Sequence, residues 1–290
     1  MAFHGSRLVI AVLAAAMLLG SAGLGTAQDA PIRSIERLAG DVYYFRNDNH
    51  YGVFMVTPEG VILADPITAD AGEWLKGQIA ERFNQVVKII IYSHHDGDHS
   101  GGAEAYEDTV EQIIAQENAP AGILLDDRVS VMPTRTFSGR LDVTLGGKTV
   151  ELIEVGPGHT DSLIAVRFPE ERILFVVDIF SGRRLPFNGI AANFDVDTAV
   201  GTLRHIEKMD FAILAPGHTG LSNIADLVAY RTFLENVRAQ VLQYRREGKT
   251  VAEMQKLITM PAYQAWLNYE AWLPPTIEGM NAYLERIGAR

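Results

Sequence analysis

The 290-residue chain contains no cysteine. That excludes disulfides, thiolate metal sites and cysteine-held iron–sulfur clusters. The core must hold the fold together unaided, and any metal site must be built from histidine and carboxylate. Basic residues are also in short supply. With 25 Lys and Arg against 36 Asp and Glu, the formal net charge is −11, which argues against nucleic acid as a partner. Long apolar runs are scarce too, the conspicuous one being LVIAVLAAAMLLGSAGLG at 8–25. It follows Arg7 and leads into Gly25-Thr26-Ala27. A basic start, an apolar stretch and a small-x-small exit describe a secretory signal peptide over 1–27. The run is short and rich in Ala and Gly, which favours cleavage over retention as a membrane anchor. The stretch has neither an Arg-Arg pair nor a cysteine for lipidation. The mature chain, 28–290, is then about 263 residues with a net charge of −12 once Arg7 is gone. It is expected to be exported, periplasmic or secreted, and its length suits one domain.

What is present is an alternation of strand and helix signals. Residues 51–56 and 61–64 are β-rich runs joined by the turn Pro58-Glu59-Gly60. Residues 71–84 have a helical pattern with Trp74, Leu75, Ile79 and Phe83 on one face. VVKIIIY at 86–92 reads as a buried strand, and 103–107 as a turn into a helix. Further strands are expected at 149–155, 162–168, 173–178 and within 211–220, with helices at about 224–246, 250–258 and 276–287. Such alternation defines an α/β layered domain with no evident linker. The tetrapeptide PGHT occurs twice, at 157–160 and 216–219, each time at a strand end. A Pro-Gly turn there bends the backbone and aims the next side chain outward.

SHHDGDHSGG at 93–102 sets three histidines and two aspartates within six positions. No packing requirement asks for that, so the cluster reads as a metal site. His94, His95, His99, His159 and His218 each follow a hydrophobic strand, and Asp178 closes ILFVVD one hairpin after the His159 strand. His50, in a polar turn, and His205, beside Glu207 in a helix, are expected on the surface. Ser93 is expected to be a strand-end hydrogen bonder. The pattern resembles the metallo-β-lactamase-fold hydrolases: H-x-H-x-D-H after a buried strand, a His in a GHT turn, an Asp, then a His in a PGH turn. The resemblance spans about 40–225. It implies a four-layer αββα sandwich over 28–290, closed by the C-terminal helices at 224–290, with the metal site at the sheet edge. It also implies one cation held by His94, Asp96 and His159 and a second by Asp98, His99 and His218, with Asp178 bridging.

Asp96 departs from the family pattern, which has His there. Three readings stay open: Asp96 ligates, a kink at Gly97 lets His95 replace it, or a single metal binds. With two divalent ions and a hydroxide, the three carboxylates make the site neutral, whereas imidazole would leave it at +1. A less positive site is a weaker Lewis acid. Carboxylate also shifts preference from zinc toward iron or manganese, and the flavodiiron branch carries an acidic residue at this position. The resemblance implies a metal-dependent hydrolase acting on a small molecule. A metal-bound hydroxide, oriented by Asp98, would attack a carboxylic ester, thioester, lactone or lactam. Rivals are a non-haem iron oxygenase or dioxygenase on the same scaffold, and a degenerate metal-binding protein. A bridging Asp178 is closer to the glyoxalase II and lactonase branches, although the lactonase Tyr position holds Ser181. Arg183 and Arg184 are candidates for binding a substrate carboxylate. Tyr263, Trp266, Tyr269 and Trp272 are expected to pack the core.

Overall fold

Period-2 patterning lays out the two sheets. In β2 (Val42–Asn47), β3 (His50–Thr57) and β4 (Gly60–Ala64), Val42, Tyr44, Val53, Met55, Ile62 and Ala64 project to one side. Phe45, Phe54, Val61 and Leu63 project to the other. Both sets are buried, so the sheet is covered on both faces. The computed structural model describes Met1 and residues 30–289, apart from 130 and 192. The expected signal peptide therefore lies outside the described residues. Residues Ile32–Arg290 pack as one unit.

The first sheet also contains β1 (Arg33–Ala39), β5 (Val87–Ile91), β6 (Gln112–Gln116) and β7 (Arg135–Phe137), in the order β1-β2-β3-β4-β5-β6-β7. The second contains β8 (Arg140–Leu145), β9 (Lys148–Glu154), β10 (Ile164–Phe168), β11 (Ile173–Val176) and β12 (Ile213–Pro216), in the order β12-β11-β10-β9-β8. Val150, Leu152, Ile164, Val166 and Phe175 meet the inner face of the first sheet in a shared core. The outer face of the first sheet is covered by α1 (Ala69–Phe83) through Leu75 and Ile79. The outer face of the second is covered by α4 (Val196–Ile206), α5 (Ile224–Arg246), α6 (Val251–Leu257) and α7 (Tyr269–Arg286). Two shorter helices, α2 (Gly97–Ser100) and α3 (Ala119–Ile123), follow β5 and β6. The result is the four-layer αββα sandwich.

Two expectations change. Residues 103–106 form a single 3-10 turn. The last helix starts at Tyr269 and runs through Pro274 and Pro275 instead of starting after them. Each proline forfeits a backbone hydrogen bond. Burial of Tyr269 and Leu273 against the second sheet's outer core offsets that loss. Tyr263, Trp266 and Tyr269 are core residues as expected.

Candidate metal centre

Strand direction brings the polar loops together. β4, β5 and β6 run parallel, so Asp65 and the 93–100 segment leave the first sheet at one edge. β9 and β11 each pair antiparallel with β10, and β11 runs parallel to β12. The loops carrying His159, Asp178 and His218 therefore leave the second sheet at a common edge. The two edges are joined directly. Ile164 N donates to Ser93 O at 2.9 Å, Tyr51 N to Gly217 O at 2.8 Å and the Tyr44 hydroxyl to Thr219 O at 2.7 Å. The same hydroxyl also donates to Pro216 O.

Side chains from both edges form two clusters, His94, Asp96, His159, Asp178 and Asp98, His99, Asp178, His218, with one potential ligand atom from each residue within 4.8 Å of the others. The two oxygens of Asp178 divide between them. Oδ2 lies 3.2 Å from His94 Nε2 and 3.3 Å from His159 Nε2. Oδ1 lies 2.7 Å from His218 Nε2 and 3.9 Å from His99 Nε2. Asp96 Oδ2 is 2.8 Å from His159 Nε2 and 3.5 Å from His94 Nε2. Tetrahedral zinc with bonds of 2.0–2.2 Å sets its ligand atoms about 3.3–3.6 Å apart, within the spread seen here.

The donors fit a cation better than they fit one another. His94 Nε2 is fully buried and close to two carboxylates, yet makes no aligned hydrogen bond. His99 Nε2 and His218 Nε2 face each other at 3.0 Å. Imidazole nitrogens converging on a common point suit a shared positive charge. Protons otherwise take that role. Burial opposes a charge on His94, but Asp178 and Asp96 outweigh it and raise its pKa to about 10. For His218, burial is likewise overcome, chiefly by Asp178. Burial would raise the carboxylates, yet His159 and His94 hold Asp96 low, and His99 and His218 do the same for Asp178. Asp98 is lowered to about 2 against burial, by His50 and then His99.

A second layer sets the tautomers. His218 Nδ1 donates to Asn49 O at 3.1 Å, which leaves Nε2 for the cluster. Asp65, fully buried, accepts from Ser93 N at 2.8 Å and Ser93 Oγ at 2.7 Å. His94 Nδ1 lies 2.9 Å from Ser93 Oγ, and His99 Nδ1 lies 3.2 Å from Asp65 Oδ2. One carboxylate thus reaches an imidazole in each cluster, His94 through the Ser93 hydroxyl and His99 by close contact without an aligned hydrogen bond. Ser93 is the strand-end hydrogen bonder expected, and Asp65 is a residue the sequence reading missed. Its signal was the one that marked Asp178, an Asp closing a buried strand.

Other candidates move. His95 stands outside both clusters: its ring packs against Gly122, its Nδ1 lies 2.8 Å from Ser162 Oγ, and its Nε2 lies 3.3 Å from Asp96 Oδ1, the oxygen not turned to His94 and His159. Asp96, not His95, therefore stands in the cluster. His50 corrects the surface expectation. It begins β3 at the site's rim, 3.4 Å from Asp98 Oδ2 and edge-on to the His218 ring at 4.8 Å. The hairpin that delivers it there pairs residues too far from the cluster in sequence for a motif to show. His205 is exposed in α4, as expected. Arg183 also departs from expectation. It donates to Asp226 at 2.7 Å and faces away from the cleft, whereas Arg184 lines it. That cleft, about 540 Å³, opens from Asp96, Asp98, His159, Asp178 and His218 toward an apolar wall that includes Phe187, Ile190 and Leu234.

A family model described as the metallo-beta-lactamase superfamily matches residues 48–218. The match covers more than half of the chain, and the chain belongs to that superfamily. It is 34% identical over 135 residues to the alpha subunit of a 2,4-dinitroanisole O-demethylase from Nocardioides sp. (strain JS1661), a match spanning 46% of this chain and 40% of that one. It is 24% identical over 177 residues to a type 2 metallo-beta-lactamase from Elizabethkingia meningoseptica, covering 54% and 67%. Among solved structures, a metallo-beta-lactamase from Pontibacter korlensis superposes with a TM-score of 0.62 at 20% identity, over 71% of this chain and all of that one. At that identity the likeness concerns the fold.

Proposed function

We propose that the chain is an exported metallohydrolase of a small molecule, cleaving a carboxylic ester, thioester, lactone or lactam with two divalent cations, zinc foremost. The supporting observation is the division of Asp178, with one oxygen facing each histidine cluster at the mouth of a single cleft. His94, Asp96 and His159 would hold one cation and Asp98, His99 and His218 the other, with Asp178 common to both. Cations held there supply Lewis acidity, lowering the pKa of water and polarising a scissile carbonyl. The chain's own groups do the rest. Asp98 Oδ1 is steered by Arg128 at 3.6 Å, which turns Oδ2 toward His50, His99 and His218. A carboxylate so held would face the cation site with Oδ2 and orient an attacking water beside it. The apolar wall excludes bulk water and takes the substrate's body.

Asp96 favours a second reading, iron-dependent redox chemistry, because a carboxylate in place of imidazole suits harder ions. One experiment separates the two. Chelated protein is reloaded with zinc, manganese or ferrous iron. It is then assayed on aryl esters, thioesters, lactones and a chromogenic lactam, with an oxygen electrode in parallel. The hydrolase reading expects turnover restored by zinc or manganese without oxygen uptake. Iron-only activity that consumes oxygen would replace it, and metal binding without any turnover would leave a binding protein.

A further inference from the structure

The cleft has two unlike linings. Besides the histidine clusters, Phe187, Ile190, Phe194 and Leu234 present apolar surface, and Arg184 lines the same cleft with Ser181 and Tyr230. The root of Arg184 is fixed. Its backbone bridges to Leu267, and Leu267 N donates to Arg183 O at 2.9 Å. Its guanidinium lies over the Trp272 ring at 5.7 Å and donates from Nη2 to Ser181 Oγ at 3.2 Å. Its Nε is buried with no acceptor, and no described carboxylate pairs with it.

A guanidinium carries five N–H donors and stays charged when partly desolvated. Burial works against the charge on Arg184, and Asp178 favours that charge only from a distance, without an ion pair. Tyr230 is kept neutral, its hydroxyl pushed up to about 12 chiefly by burial. Both oxygens of Asp178 face imidazoles. The neighbouring Arg183 is neutralised by Asp226 outside the cleft. Arg184 is thus a pre-positioned planar donor with an unpartnered Nε and no direct carboxylate partner, in a cleft of small-molecule size. The chemistry that satisfies it is a planar or tetrahedral oxyanion taking two parallel N–H donors.

We propose that Arg184 anchors the substrate, and that the substrate is an amphiphilic monoanion: an apolar body against the Phe187 wall and a carboxylate or sulfate on Arg184. The assignment deepens the hydrolase reading and rests on it for the word substrate, although anion binding can be read without turnover. Arg184 determines specificity and takes no part in bond cleavage.

The test titrates octanoate, octyl sulfate and octanol into the zinc-loaded full chain, with calorimetry as the readout. The same titrations are run on Arg184→Met and Arg184→Lys after their metal content is matched to wild type. One of the two anions is expected to bind wild type at least about tenfold more tightly than octanol, as befits a charge-assisted hydrogen-bond pair. Which anion binds better identifies the headgroup. Arg184→Met should lose the preference, and Arg184→Lys should keep part of it. Octanol binding wild type as well as either anion would overturn the proposal. So would unchanged anion affinity in Arg184→Met, because the headgroup would then be sitting on the cations. Should Arg184→Met fail to fold, the wild-type ratio and Arg184→Lys decide. Anion preference with no ester turned over would sink the hydrolase reading and leave the anchor. Ester turnover indifferent to substrate charge would do the reverse.

Discussion

Asp65 shows how far a single buried carboxylate reaches. It receives both Ser93 donors and lies against His99, so each histidine cluster leans on it. Asp65→Ala strands those donors in a fully buried position. It is expected to lower stability by about 2–4 kcal/mol, and second-layer losses of this kind weaken metal binding about 10- to 100-fold. Denaturant unfolding and a competitive metal titration would measure the two effects; unchanged metal affinity would remove Asp65 from the site. The protonation of His94 gives a second expectation at this scale. Its pKa of about 10 means that the metal-free site holds that proton at pH 7. A cation needs the bare Nε2, so binding must expel the proton, and apparent affinity should rise with pH toward about 10. Calorimetry in buffers of different ionisation enthalpy would show protons released at neutral pH. Binding independent of buffer and of pH would refute this.

At the scale of elements, the repeated PGHT turns work differently from the sequence expectation. Neither Gly158 nor Gly217 has a positive φ, so conformational freedom is not what they supply. They supply space. A Cβ on Gly158 would collide with Ile179, and one on Gly217 would lie 2.5 Å from Val177 Cγ1 and 2.9 Å from His99 Cε1. Gly217→Ala should therefore push the turn off its neighbour, cost about 1–3 kcal/mol by overpacking and lower occupancy of the His99–His218 cluster. Metal analysis showing full occupancy would contradict that. Tyr44 clamps the same turn from the first sheet through the carbonyls of Pro216 and Thr219. Burial pushes its hydroxyl well above the usual range, so it remains a donor at ordinary pH. Sequence patterning located β3, β4, α1 and β5 closely because their apolar periods are regular. It missed β1 and β6–β8. β7 is only three residues long, and β1 and β8 carry several exposed positions, so their hydrophobic signal is weak. It also broke α7 at Pro274-Pro275, where tertiary burial overrides local preference.

Across the whole molecule, the site is a seam. His94, Asp96, Asp98 and His99 come from the first sheet, and His159, Asp178 and His218 from the second. A cation bound here ties the halves of the sandwich together, so chelation should lower the melting temperature and zinc should restore it. At a ligand excess of 100-fold over Kd, the linkage is worth about 2.7 kcal/mol. Calorimetric scans with and without chelator would show it, and identical transitions would argue that the seam is closed without metal. The motif was legible in sequence because all seven cluster residues sit at the ends of apolar runs or in the SHHDGDHSGG stretch itself. The roles of His50 and Asp65 were not, nor was which of Arg183 and Arg184 lines the cleft, because these arise from pairings between sheets and from side-chain directions that no local pattern encodes.

The central claim is a two-cation seam with Asp96 as a ligand. Metal content tests it most directly, measured by mass spectrometry on protein purified without chelator or metal-affinity resin, alongside Asp96→Ala and Asp96→His. About two divalent cations per chain are expected, falling toward one in Asp96→Ala. One cation per chain, unchanged by Asp96→Ala and rising to two in Asp96→His, would contradict it.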